Sequence, residues 1–555
     1  MSEKISRRRF ISSAALAGVA AGLGFYAGEV SVKNHFDTII KGGSIFTGDG
    51  KAPFIGDIGI KNGVIAAIGN NLGESAYNII PAEGLVVSPG FIDIHSHTDT
   101  NLLQCPQGDS KFYQGVTTDI GGNCGDSPFP YSDKYYLSKK DSMRYGYPFW
   151  QDIDGFYDAL RKNKMGINYG SYVGQGQLRS SVVGDNAVAP TSEQMAKMKQ
   201  ILAKEMEAGC IGISMGLEYA PGSYASDEEL TELCKVVAEY DGLFAIHMRN
   251  EDDRVEEAIT EAIAIARNAG VRLQISHLKA QNAANWHKAP SMLRIIDDAR
   301  NSGLDVAFDR YPYVAFNTGL TSFIPLSDRQ GSNQDVLARL ENTAKAKEIG
   351  KYAISRIKRL GGPQNVVLTG LTLPDYIGFN GKNVEECCRA TGMETWDFIR
   401  KVLIDEKLRT DIIGFAMNED NVKMFLSHPL GMPCSDGSVY SPVGPLSEGM
   451  PHPRCYGSFP RFIGKYCRDE KIMDMQTAIY KCTGLPASRL RLKNRGLLVP
   501  SYAADILVFD QNKISDTATF AQPHQFATGI EHIFVNGIWS LKDGKTTNKF
   551  GGTIV

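Results

Sequence analysis

Two histidines one residue apart, His95 and His97, stand at the end of an apolar stretch, and Asp99 follows them. The stretch runs from Leu85-Val-Val-Ser-Pro-Gly90 into Phe91-Ile-Asp-Ile-His-Ser-His97. Its β-branched residues and Pro-Gly break predict a buried strand. Residues two apart on a strand share a face, so both imidazoles would point to one side, an arrangement suited to a divalent metal. A pair of hydrogen-bonded core histidines is the plainer alternative for an isolated His-x-His. Four further ligand types end apolar runs downstream: Cys124, His247, His277 and Asp436. A strand-end histidine alone is ordinarily structural. The metal reading rests on several of them meeting in one fold.

The elements that carry these residues alternate between strand and helix, which argues for parallel βα units. After the His-x-His strand come Val116–Cys124, Gly166–Val173, Cys210–Met215, Leu243–Met248, Arg272–Leu278, Leu304–Asp309 and the short run Met432–Asp436. An amphipathic helix is expected over 192–208. Eight such units predict an α/β chain built on a (β/α)8 TIM barrel at 89–489, in which each candidate ligand sits at the C-terminal end of a strand, where barrel enzymes build their sites. A barrel needs about 250 residues. The surplus falls partly in a long insertion after strand 7, at 314–430, expected to carry helices over 344–360 and 384–407 and to act as a lid. Alternating runs that turn at Gly and Asn-Gly occupy both ends, at 36–88 and 490–555, and predict one small β-sandwich domain formed by the N- and C-terminal segments. The remaining histidines, His35, His287, His428, His524 and His532, read as surface or loop residues.

The chain has 555 residues, 43% of them hydrophobic and 22% charged, which is ordinary globular usage. A net charge of −3 gives no sign of nucleic-acid or membrane-surface binding. Ser6-Arg-Arg-Arg-Phe-Ile11 precedes a charge-free Ala/Gly-rich run, so residues 1–28 read as a signal peptide with a twin-arginine motif. The expectation is export of the folded protein by the twin-arginine machinery to a periplasmic or extracellular location, with no stable membrane span once the signal is cleaved. The ten cysteines are sparse and do not form a disulfide framework, although Cys434 and Cys455 could bridge in an oxidising compartment.

His-x-His on strand 1, single histidines on strands 5 and 6 and an aspartate on strand 8 resemble the amidohydrolase superfamily. Within it the chain is similar to the N-acyl-D-amino-acid deacylases (D-aminoacylases). That likeness rests on His95-Ser-His-Thr-Asp99, Gly122-Asn-Cys-Gly125, Gly216-Leu-Glu-Tyr-Ala-Pro-Gly222 and His247-Met-Arg-Asn250, and continues through Ile275-Ser-His-Leu-Lys279, Asp309-Arg-Tyr-Pro-Tyr313, Ser435-Asp-Gly437 and His452-Pro-Arg-Cys-Tyr-Gly457. The resemblance implies a zinc held tightly by Cys124, His247 and His277, and a second, weaker position at His95 and His97 sharing Cys124. A thiolate among imidazoles favours zinc over magnesium or calcium. Hydantoinases and dihydroorotases use a carboxylated lysine on strand 4, whereas Ile211-Gly-Ile-Ser-Met-Gly-Leu217 contains none. Glu218 could approach the metals or serve the following turn.

The chemistry implied is hydrolysis of the amide bond of N-acyl-D-amino acids to a carboxylate and a free D-amino acid. Zinc lowers the pKa of water from about 15.7 towards 7, which reduces the cost of making hydroxide by roughly 12 kcal/mol. Asp436 would take the proton from the attacking water and return it to the leaving amine. The resemblance also implies that Arg454, Lys279 and Tyr311 bind the amino acid's carboxylate. Asn317 stands where related enzymes carry a serine. Two alternatives remain open in the sequence: a dipeptidase or cyclic-amide hydrolase with the same metal chemistry, and a metal-dependent binding protein without turnover.

Overall fold

The computed structural model describes residues 35–555; the twin-arginine segment lies outside the described residues. Eight parallel strands close a barrel. In order they are Phe91–Asp93, Val116–Gly121, Asn168–Ser171 continued by Val173–Gly174, Gly212–Gly216, Leu243–His247, Arg272–Ile275, Val306–Arg310 and Gly431–Pro433. Hydrogen-bonded pairing runs from the first strand through the second to the third, and from the third's continuation through to the eighth. A parallel bridge between Ser96 and Gly437 joins the eighth back to the first.

Side-chain alternation divides the barrel's two faces. On the fifth strand Phe244 and Ile246 join the apolar layer shared with the outer helices, for example Leu230, Leu233, Ile259 and Ile263. Leu243 and Ala245 instead join the interior cluster with Ile92, Ile120, Ala307 and Met432. His247 continues that inward series at the strand's C-terminal end. On the seventh strand Val306 and Phe308 likewise face the helices, while Ala307 and Asp309 face inwards.

The chain ends contribute one continuous hydrogen-bonded sheet of nine strands, five from Phe36–Ile45 to Val86–Pro89 and four from Ile506–Phe509 to Lys545–Thr546. Phe36–Ile45 is long enough to pair with three partners. A bulge between Ile40 and Gly43 lets its first half run beside Ala76–Pro81 and its second half beside Val86–Pro89. Ile40, Ile45, Ile58, Ile60, Val87, Ile506, Val508 and Phe534 form this sheet's own core.

Between the seventh and eighth strands, residues 314–430 build a three-stranded antiparallel sheet (Ala315–Gly319, Val366–Thr369 and Asp411–Phe415) and several helices. Phe316, Leu320, Phe323, Ile349, Phe398 and Ile412 of this segment pack into the same apolar cluster as the barrel interior, so it is built onto the barrel mouth. The helix expected over 384–407 is two helices, Val384–Thr391 and Thr395–Asp405, because Gly392 takes φ +69° and terminates the first. Another expectation fails at His532: it lies on the strand Ile530–Val535 and is buried, not at the surface. Cys434 and Cys455 are both free and buried. Among the described residues, no helix is long and apolar enough to cross a membrane.

Candidate metal centre and substrate cavity

The strand expected over Phe91–His97 ends at Asp93, so His95 and His97 lie beyond it, in the turn that follows. Cys124, His277 and Asp436 likewise lie two or three residues past their strands. All three have positive φ, at +53°, +36° and +49°, and so does Asp99, at +35°. Non-glycine residues rarely take this conformation, which costs on the order of 1–3 kcal/mol each and persists only where surroundings enforce it. Here the enforcement is visible. Asp436 N donates to His95 O at 2.9 Å and His97 N to Gly437 O at 3.1 Å. Asp99 accepts from Gly122 N and Tyr169 Oη, tying the ends of the first three strands together. A Cβ on Gly216 would lie 1.9 Å from the Cys124 carbonyl oxygen, so only glycine admits the Cys124 turn. Below the Asp436 turn, fully buried Lys111 donates to Asp93 at 2.6 Å and to Ser435 Oγ, while Ser435 N donates to Asp93 at 3.0 Å.

These turns bring the expected ligands together. His95, His97, Cys124 and Asp436 form one group whose donor atoms lie within 4.8 Å of one another, and Cys124, His247 and His277 form a second. Cys124 Sγ belongs to both, 3.4 Å from His95 Nε2 and 3.4 Å from His277 Nε2. His277 Nε2 is 2.9 Å from His247 Nδ1. The donor set fits a divalent metal for reasons internal to the site. Asp309 accepts from His95 Nδ1 at 3.1 Å, which fixes that tautomer and leaves the Nε2 lone pair aimed at Cys124 and Asp436. Asp309 also accepts from His277 N and Gln274 Nε2, both at 2.8 Å. Burial alone would raise the Cys124 thiol, but the adjoining His95 and His277 imidazoles bring it well below its usual range, towards the thiolate that binds metal.

Four residues to which the sequence assigns no definite role complete the surroundings. Besides Asp309, Glu251 accepts from Lys279 Nζ at 2.6 Å and lies 3.1 Å from His277 Nδ1. Glu218 approaches His247 Nε2 to 3.7 Å and Arg356 to 3.8 Å. His452 accepts from Arg454 N at 3.0 Å, and burial followed by the Arg454 charge keeps its imidazole neutral, well below its ordinary pKa.

A cavity of about 610 Å³ opens over these groups. It is lined by His97, Cys124, His247, His277 and Asp436 on the barrel side, by Lys279, Tyr311 and Arg454 on one wall, and by Phe316–Gly319, Arg356 and Asp411 from the insertion. Arg454 Nη1 donates to Asp436 Oδ2 at 2.6 Å, and its guanidinium lies 4.8 Å from the Tyr311 ring centroid. Buried Tyr311 Oη and Arg454 Nε have no hydrogen-bond partner among the described residues, so both are available to an anion. Asn317 donates its amide to Ile412 O at 2.8 Å. Asp436 is held well below the usual carboxylate range against the pull of burial, first by Arg454 and then by His277 and His95.

Comparison with known proteins gives one consistent answer. Residues 78–353 match the amidohydrolase family model. The chain is 32% identical to the D-aminoacylase of Alcaligenes xylosoxydans xylosoxydans, over 94% of this chain and 97% of that one. It is also 32% identical to the N-acyl-D-glutamate deacylase of the same organism, over 91% and 94% of the two chains. Among solved structures, the N-acyl-D-glutamate deacylase of Bordetella bronchiseptica, complexed with zinc and a phosphonate mimic of the tetrahedral intermediate, superposes with a TM-score of 0.78. That match is 32% identical and covers 94% of this chain and 99% of that one. The chain belongs to the N-acyl-D-amino-acid deacylase family of metal-dependent amidohydrolases.

Proposed function

We propose that this protein hydrolyses N-acyl-D-amino acids with zinc, releasing a carboxylate and a free D-amino acid. The observation that carries the reading is one cavity in which the two ligand groups, a single buried aspartate and an anion-binding corner adjoin. Cys124, His247 and His277 would hold one zinc tightly, and His95 and His97, sharing Cys124, a weaker second one. Bound there, zinc supplies Lewis acidity towards water and the acyl carbonyl.

The chain's own residues do the rest. Arg454, Tyr311 and Lys279 form a cationic, hydrogen-bonding corner suited to a carboxylate, with the Arg454 fork as the strongest element. Asp436 engages Arg454 through Oδ2, which leaves Oδ1 turned to His95 and His97 at 3.4 and 3.1 Å. At Oδ1 it accepts the proton of the attacking water and then delivers it to the amide nitrogen as the C–N bond breaks. A metal-dependent binder needs no such carboxylate beside its ligands. The twin-arginine motif at Ser6–Phe10 supports export as the setting of this activity.

Offering linear N-acetyl-D-amino acids beside hydantoin and dihydroorotate tests the reading. Free amine should appear from the linear amides without ring opening of the cyclic ones. Ring opening as the faster reaction would replace the proposal with a cyclic-amide hydrolase.

A further inference from the structure

Among the side chains that line the cavity, carboxylates outnumber cations. Three cations face it, and each already has a carboxylate partner: Lys279 with Glu251 at 2.6 Å, Arg454 with Asp436 at 2.6 Å and Arg356 with Glu218 at 3.8 Å. Two more carboxylates, Asp126 and Asp411, line the same cavity, are exposed to it, and make no ion pair among the described residues.

Asp411 is the better placed of the two. It opens the strand Asp411–Phe415 and pairs in register with Gly319, on the strand that also carries Asn317. Asp411 Oδ1 lies 3.9 Å from where a Cβ on Gly319 would be, so the missing side chain leaves it clear access to the cavity. Enclosure pushes its carboxyl up to about 6, opposed only by the charge of Arg454 nearby. An amino acid whose carboxylate sits on Arg454 carries its side chain on the adjoining carbon, within reach of the same wall. Asn317, two residues from Gly319, has its amide engaged with the Ile412 carbonyl.

On the reading of the site as a D-amino-acid deacylase, we propose that Asp411 selects the substrate side chain and that the preferred substrates are N-acyl-D-amino acids with a cationic side chain of the lysine or arginine class. A positive side chain gives Asp411 the partner it lacks. An acidic one meets two unpaired carboxylates and no unpaired cationic side chain, so a glutamate side chain is opposed by like charge as well as left without a side-chain partner.

The test uses the zinc-loaded protein and kcat/KM for the N-acetyl derivatives of D-arginine, D-lysine, D-leucine and D-glutamate. Arginine and lysine should exceed leucine by on the order of tenfold, and glutamate by more. Asp411→Asn should lower the arginine-to-leucine ratio by on the order of tenfold, and Asp411→Glu should retain most of it. A series led by leucine or glutamate in the unaltered protein overturns the side-chain assignment alone, as does an unchanged ratio in Asp411→Asn. Silence towards every D substrate with zinc bound removes the deacylase reading, and this proposal with it.

Discussion

Asp436 Oδ2 accepts from Arg454 Nη1 at 2.6 Å, and both side chains are buried. The carboxylate assigned to move the proton is thus held by the guanidinium assigned to meet the substrate's anion. A buried pair of this kind is costly to break from one side, because the partner left behind is an uncompensated charge. Arg454→Lys supplies a point charge without the fork. Steady-state kinetics should show KM raised by on the order of tenfold or more and kcat lowered with it, since substrate grip and Asp436 orientation are lost together. A KM increase with unchanged kcat would separate the two roles.

Removing the carboxylate itself is the complementary change. Asp436→Asn should reduce kcat by roughly 10²- to 10⁴-fold, the usual worth of general acid–base catalysis. Zinc content, measured by elemental analysis, should stay within a factor of two of the unaltered protein. Activity retained at near-normal levels would show that another group moves the proton.

Asp309 touches no cavity surface, yet it fixes the His95 ring and the His277 backbone at once. Asp309→Asn keeps the shape and removes the charge that sets the His95 tautomer. Metal affinity should fall by about 10- to 100-fold in competition with a chelator, as is usual when a ligand histidine loses its carboxylate support. Unchanged affinity would show that packing alone orients the ring.

Asp309 also marks where sequence reasoning stopped. The His-x-His pair, Cys124, His247, His277 and Asp436 were legible because each ends an apolar run and because their order matches a family pattern. Glu251 was not, and Asp309 and His452 stood in the family-like motifs without a role. Asp309 contacts His95 across 214 residues and has no spacing that links the two. The left-handed turns at Cys124, His277 and Asp436 were equally hidden. Local propensity disfavours them, and only bonds between neighbouring strand ends, such as Asp436 N to His95 O, hold them. The barrel was readable from alternation of strand and helix. The break at Gly392 was not, because a glycine within a periodic apolar stretch fits a continuous helix as well as a cap.

Glu205 provides a pH signature of the fold. It is buried on the helix Ser192–Glu207 and accepts from Ile153 N at 2.9 Å, and burial pushes its carboxyl up from 4.5 to about 7. A carboxyl raised on folding binds its proton more tightly in the folded state. Its contribution to stability is therefore present at low pH and is lost as pH rises between 4.5 and about 7, by up to about 3 kcal/mol. Urea unfolding at pH 5 and pH 8 should show Glu205→Gln gaining on the unaltered protein at the higher pH. Parallel behaviour of the two would rule out Glu205 as the source of any such slope.

Export is testable without the enzyme assay. Arg7→Lys together with Arg8→Lys should leave the protein in the cytoplasmic fraction by immunoblot, because twin-arginine recognition requires the pair. Normal export of the double variant would refute the route.

The most direct test of the central claim is amine release from matched N-acetyl-D- and N-acetyl-L-amino acids, with protein that is zinc-loaded, chelator-stripped and zinc-restored. The account predicts turnover of the D series alone, abolished on stripping and recovered on restoring zinc. Turnover that survives metal removal, or that favours the L series, would contradict it.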